Sequence, residues 1–208
     1  MDFWQKHNLE EVKGKHFIID MMYATPENLM MTPVYEEVGF GKKAYVHKDL
    51  MKCLHKLENK LEDLQLKLRI RDAYRPPVAH RRILEIFPVP GVFASRAENS
   101  LHCYGAAIDC CLCDENSCNL AFPTEIDAYH PEYVKKALSG EPETMFEHFK
   151  RAARDFYDEK LQKEIANREL LRGLMEEAGF EGISSEWWHY QLPQAKLKYP
   201  LIEWEKEK

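Results

Sequence analysis

The chain has 208 residues, 45% of them hydrophobic and 31% charged, a balance that suits a globular domain with its own core and excludes a disordered chain. Its formal net charge is −6, with Lys and Arg interleaved among Asp and Glu, so no basic stripe offers itself to a phosphate backbone and no nucleic-acid partner is expected. The longest uncharged apolar stretch near the middle, residues 86–94, holds Pro88 and Pro90 and is too short to span a bilayer, so no membrane role is expected. The start, Met1-Asp2-Phe3-Trp4-Gln5-Lys6-His7, has no apolar signal-peptide core. That predicts a cytoplasmic protein, or a periplasmic one if a leader has been removed.

Neither repeats nor low-complexity linkers interrupt the chain, so one domain over residues 1–208 is expected. Residues 17–24 read as a short strand or extended segment, and residues 26–41, with Pro33 and two glycines, as an irregular arm. From His47 onward Leu50, Cys53, Leu54, Leu57, Leu61 and Leu64 recur at steps of three and four, which predicts an amphipathic helix. Leu66, Leu68 and Ile70 alternate with Lys67 and Arg69 as a half-buried strand, and Pro76-Pro77 opens a helix to about Ile86. Residues 106–113 form a second strand candidate. Helices are predicted over 143–157 and 161–178, the latter with Ile165, Leu170, Leu171, Leu174 and Met175 apolar and Gly179 as its C-cap. Residues 187–192 read as the last strand. Because strands and helices do not alternate regularly, the class is α+β with a small, mostly antiparallel sheet and flanking helices.

Six cysteines are present, four of them crowded into Cys110-Cys111-x-Cys113-x4-Cys118. They read as reduced, small apolar residues; a structural zinc knot would want paired C-x2-C spacing, which is missing. Three segments concentrate acid–base and metal-ligand types: Arg71–Pro76, Ser100–Asp109 and Glu186–Tyr190. His102 and Asp109, seven apart, would face opposite sides of a straight strand, but Gly105 between them can supply a turn that brings them together. An Asp within so apolar a strand must be paired with an Arg, lie at an edge, or bind a metal. Ser184-Ser185 can re-aim Glu186 toward His189, and two His nitrogens with one carboxylate make a usual catalytic zinc set; a buried aromatic edge with a hydrogen-bonded His189 is the competing reading. Arg75 is expected as a cation at the mouth of such a site.

Taken jointly, Ser100-x-His102-x-x-Gly105-x-Ala107-x-Asp109 followed by Glu186-x-x-His189 resembles the zinc D-Ala-D-Ala metallopeptidases. Asp72-Ala73-Tyr74-Arg75-Pro76 is similar to that family's Asp-Gly-Tyr-Arg-Pro segment. Asp20-x-x-Tyr23-Ala24-Thr25-x-x-Asn28, Asn167-Arg168-x-Leu170-Leu171 and Gly179-Phe180 resemble its dipeptidases of the vancomycin-resistance type. The similarity spans roughly residues 17–192. It implies one zinc ion per chain on His102, Asp109 and His189, Glu186 as the general base that activates the zinc water, and Arg75 as the stabiliser of the tetrahedral oxyanion. It also implies Ser100 at the substrate carboxylate, and Asp127, in Ile126-Asp127-Ala128-Tyr129-His130, at the substrate ammonium with Tyr23 beside it.

The implied activity is hydrolysis of D-Ala-D-Ala to two D-Ala. The alternatives are a D,D-carboxypeptidase acting on longer peptidoglycan peptides and a catalytically silent zinc-stabilised binding module. Two departures stand out: the 82–100 segment is short, which predicts a more open cavity wall, and Cys103 sits beside a ligand position, which predicts sensitivity to oxidation. Trp4, Phe87 and Phe93 are expected as exposed aromatics of a contact surface.

Overall fold

A five-stranded sheet carries the site at one end. The computed structural model describes residues 2–128, 131–141 and 143–204. In chain order the elements are α1 (Phe3–Lys6), β1 (Leu9–Glu11), β2 (Phe17–Ile19), α2 (Val34–Glu37), β3 (Tyr45–His47), α3 (Lys48–Asp63), β4 (Lys67–Asp72) and α4 (Pro77–Ile86). Then follow β5 (Ala107–Cys113), α5 (Pro131–Leu138), α6 (Glu143–Ala152), α7 (Gln162–Ala178), β6 (Glu181–Gly182), β7 (His189–Gln191) and α8 (Ala195–Lys198). The sheet is ordered β2-β4-β5-β7-β6, and within it only β2 and β4 run parallel; every other pairing is antiparallel, and β1 with β3 makes a separate two-stranded ribbon. The α+β expectation therefore holds. Among the described residues no helix is long and apolar enough to cross a membrane.

Side-chain period explains the layers. On α3 the i, i+3, i+4 apolar set Leu50, Cys53, Leu54, Leu57 and Leu61 is buried, and the helix packs on α7. Leu64 caps α3 and stays exposed. Along β4 the alternate residues Leu68, Ile70 and Asp72 face inward, so the period-two pattern carries a carboxylate into the core. β5 is buried on both faces, as a central strand covered by α7 on one side requires. All six cysteines are free, with Cys53, Cys103, Cys110, Cys111 and Cys113 buried, in line with the reduced, apolar reading.

Some expectations move. The strand at 17–24 stops at Ile19 and turns into a 3-10 turn over Met22–Ala24. The following arm is irregular yet ordered by Asn28, whose buried side chain donates to the carbonyls of Met22, Thr25 and Thr32 and accepts from the Met30 N–H. The helix expected over 143–157 ends at Ala152, because the chain beyond it bonds to the loop before β7: Trp187 N–H donates to Ala152 O and Arg154 N–H to Ser184 O, each at 3.0 Å. Leu170 lies on the exposed face of α7. The aromatic contact surface is not formed: Phe87 is fully buried, Trp4 stacks on Tyr45 at 3.5 Å, and Phe93 turns toward Arg75 and Tyr23.

Candidate active site

Strand register builds the site. Asp72 of β4 pairs with Asp109 of β5, and Asp109 pairs with His189 of β7, so three chemistry-bearing residues share one rung across three neighbouring strands. A register shift between Ile70 and Asp72 puts Asp72 on that rung. His102 arrives from the 3-10 turn Leu101–Tyr104, which ends on Gly105 in the left-handed region at φ 63°. The reversal there carries the chain straight into β5, as the Gly105 turn was expected to do. Space adds a second requirement, since a Cβ on Gly105 would lie 2.5 Å from Leu9 Cδ2 and 3.1 Å from the His47 amide nitrogen.

The three potential ligands converge. His189 Nδ1 lies 3.1 Å from Asp109 Oδ1 and 3.2 Å from His102 Nε2, while His102 Nε2 is 3.4 Å from Asp109 Oδ2. Their outer atoms are already engaged: His102 Nδ1 donates to Ala73 O at 2.9 Å, and His189 Nε2 sits 3.2 Å from Gln191 Oε1. A carbonyl only accepts, so His102 carries a proton on Nδ1, and in its neutral form the ring turns the Nε2 lone pair inward. Two imidazole lone pairs and a carboxylate aimed at one point repel each other unless a cation lies between them, so this donor set fits a metal ion. Burial alone would lower the pKa of His102, but the Asp109 and Asp72 carboxylates outweigh it and raise it. Asp109 is buried too, and the two imidazoles nonetheless hold its carboxyl well below the usual range.

Four further side chains face the same cavity, which has a volume of about 230 Å3. Glu186 follows the Ser184-Ser185 bend, held by the Ala152 and Ser184 carbonyl bonds, and its Oε2 lies 3.9 Å from His189 Nδ1. Burial in the cleft and repulsion from Asp109 and Asp127 push its carboxyl up to about 8, against the pull of His189. Arg75, expected at the mouth, is instead buried at 4% exposure. A guanidinium tolerates that only with a counter-charge, and Asp72 Oδ2 accepts from its Nε at 2.9 Å and its Nη2 at 2.6 Å. Tyr35 donates its hydroxyl to the other Asp72 oxygen. Ser100 lines the cavity just ahead of His102. Asp127 forms another wall, in the left-handed region at φ 54°, and accepts the Tyr23 hydroxyl. Burial and the nearby Asp109 charge push the Asp127 carboxyl up to about 6, although the Tyr23 bond works the other way. Tyr129 and His130 of the same motif lie outside the described residues.

Arg75, Ser100, His102, Asp109, Asp127, Glu186 and His189 thus line one cavity, while Tyr23 stands behind its wall and bonds Asp127. Missed were Asp72 as the anchor of Arg75, Tyr35, and His80, whose buried ring bonds Arg75 and Ala94. A legible signal existed for Asp72, an acid on the inward phase of β4 three residues before an Arg. Cys103 departs from expectation: it is fully buried and burial pushes its thiol to about 12, which argues against easy oxidation.

The sequence profile of the D-ala-D-ala dipeptidase family matches residues 5–207. The chain belongs to this family of metallopeptidases. It is 31% identical over 191 residues to the D-alanyl-D-alanine dipeptidase of Escherichia coli (strain K12), an alignment covering 88% of this chain and 82% of that one.

Proposed function

We propose that the chain is a single-domain, zinc-dependent dipeptidase that hydrolyses D-Ala-D-Ala to two D-Ala. One observation carries the reading: a two-imidazole, one-carboxylate donor set, a carboxyl with raised pKa, a buried guanidinium and a separate buried carboxylate all line one cavity of about 230 Å3. His102, Asp109 and His189 suit one zinc ion per chain, which would supply Lewis-acid polarisation and an acidified water.

The chain's own groups perform the rest. Glu186 takes the proton of the attacking water and passes it to the amide nitrogen of the leaving D-Ala, a shuttle that suits a carboxyl able to hold a proton near neutral pH. Arg75 offers its remaining N–H bonds to the developing oxyanion from a fixed position, so little reorganisation is needed at the transition state. Asp127 holds the substrate ammonium, with Tyr23 fixing the carboxylate, and Ser100 binds the substrate carboxylate. A dipeptide is a zwitterion whose ends lie a few ångström apart, so a site that reads both ends selects for its length. A blocked or longer peptide lacks an ammonium at that point and would leave Asp127 buried without a partner, a loss of several kcal/mol, on the order of 3–5. Such a reaction belongs to peptidoglycan metabolism, as glycopeptide resistance or as dipeptide recovery.

A second reading, D,D-carboxypeptidase, is favoured by one feature. Asp127 also lines a neighbouring cavity of about 520 Å3, with Arg71, Thr124 and Trp187, into which a longer peptide would extend. The test is D-Ala release by zinc-loaded protein from D-Ala-D-Ala and from N-acetyl-D-Ala-D-Ala, with Glu186→Ala as control. Release from the free dipeptide alone, lost in the variant, is the expected result. Release from the blocked peptide would support the carboxypeptidase, and release from neither would leave a binding module.

A further inference from the structure

Asp72 grips only one edge of the Arg75 guanidinium, through Nε and Nη2. The opposite end, Nη1, is met by His80 Nδ1 at 3.4 Å, while His80 Nε2 lies 2.8 Å from the carbonyl of Ala94. We propose that His80 is a positioning residue that holds the Nη1 end of Arg75, so that one N–H of each terminal guanidinium nitrogen stays directed at the reacting carbonyl. The inference rests on the reading of Arg75 as the oxyanion donor.

Several facts converge on it. A guanidinium only donates and a carbonyl only accepts, so both bonds together require a neutral ring with its proton on Nε2 and its lone pair on Nδ1. Burial and the adjacent Arg75 charge push the His80 pKa down to about 4, which keeps the ring in that form at neutral pH. His80 is fully buried on the inner face of α4 with Pro77, Ala79 and Ile83, where an apolar side chain would ordinarily sit. Its backbone is stiff as well, since Pro76 and Pro77 open the helix and the His80 N–H donates to Pro76 O at 3.0 Å. Of the five guanidinium N–H bonds, two go to Asp72 and one to His80, which leaves one on Nη1 and one on Nη2. Nη2 is already 3.9 Å from Asp109 Oδ2, so the unclaimed end points to the middle of the cavity. Phe93, beside Ala94, lies 5.8 Å from the guanidinium, so the same imidazole ties the cavity wall to the cation.

The experiment compares His80→Leu with His80→Asn in zinc-loaded full-length protein, measuring kcat and KM for D-Ala-D-Ala. Both variants lose the bond to Ala94; only Asn keeps an acceptor near the Nδ1 position. His80→Leu is expected to lower kcat by roughly 10- to 100-fold with KM shifted much less, the signature of an interaction used in the transition state. His80→Asn is expected to recover most of that loss. In the Arg75→Ala background His80→Leu should cost nothing further, because the two residues act as one unit. Equal losses in Leu and Asn, a loss confined to KM, or a full additional loss on top of Arg75→Ala would each overturn the proposal. If Arg75→Ala itself retains kcat, the oxyanion reading of Arg75 fails and this inference falls with it. If Arg75→Ala abolishes turnover while His80→Leu matches wild type, only the role of His80 is refuted.

Discussion

Asp127→Asn isolates the charge that would read the substrate ammonium. The substitution keeps the shape and an oxygen for the Tyr23 hydroxyl and removes only the charge. Burial and Asp109 hold the Asp127 carboxyl at about 6 in place of its ordinary 3.8, which amounts to about 3 kcal/mol against the bare carboxylate. A bound ammonium relieves a penalty of that order, and at about 1.4 kcal/mol per decade this is roughly a hundredfold in kcat/KM. Asp127→Asn should therefore lose about 100-fold in kcat/KM on D-Ala-D-Ala while its rate on the N-acetylated peptide, however small, stays within about threefold of wild type. The wild-type kcat/KM should also rise with pH as Asp127 ionises, at or below about 6, and the Asn variant should lack that limb. Measured D-Ala release from both peptides across pH decides it. If the ratio of free to blocked dipeptide is unchanged in the variant, Asp127 does not read the ammonium and the length-selection argument is wrong.

Other outcomes follow from the same geometry. Asp72→Asn leaves the buried Arg75 without its counter-charge and should cost about 3–5 kcal/mol in urea unfolding; a cost below about 1 kcal/mol would mean the guanidinium finds another partner. Gly105→Ala forces a left-handed φ and a Cβ against the His47 backbone, so it should destabilise by about 2 kcal/mol or more and weaken metal uptake by separating His102 from Asp109; unaltered zinc affinity in a folded variant would refute the second half. Glu186 is largely protonated at pH 7 in the metal-free protein, because its carboxyl is held near 8, and a divalent cation beside it favours the ionised form. Zinc binding should then release a proton from it, so calorimetry in two buffers of different ionisation heat should show about one fewer proton for Glu186→Gln than for wild type.

Much was legible because it depends on neighbours in the chain. The three- and four-residue apolar steps of α3, the inward alternation of β4, the Gly105 reversal and the Gly179 cap at φ 105° are local matters of side-chain period and backbone freedom. His102, Asp109, Glu186 and His189 could be named from spacing joined to a family pattern, and the structure brings their side chains to one cavity. Tertiary structure decided what lies between distant segments. Strand register alone sets Asp72, Asp109 and His189 on one rung, and a one-residue slip would turn Asp109 to the other face of β5. Arg75 was expected at the mouth of the site, because nothing in its own segment reveals that the Tyr23 and Phe93 rings close over it. The early end of α6 was equally hidden, since the competing hydrogen bonds come from Ser184 and Trp187, some thirty residues downstream. His80 was not singled out in the sequence at all, and only packing shows that its two nitrogens face Arg75 and Ala94. Burial makes such polar contacts obligatory, but which groups meet is settled by how the layers stack, a property of the folded chain and not of any short window within it.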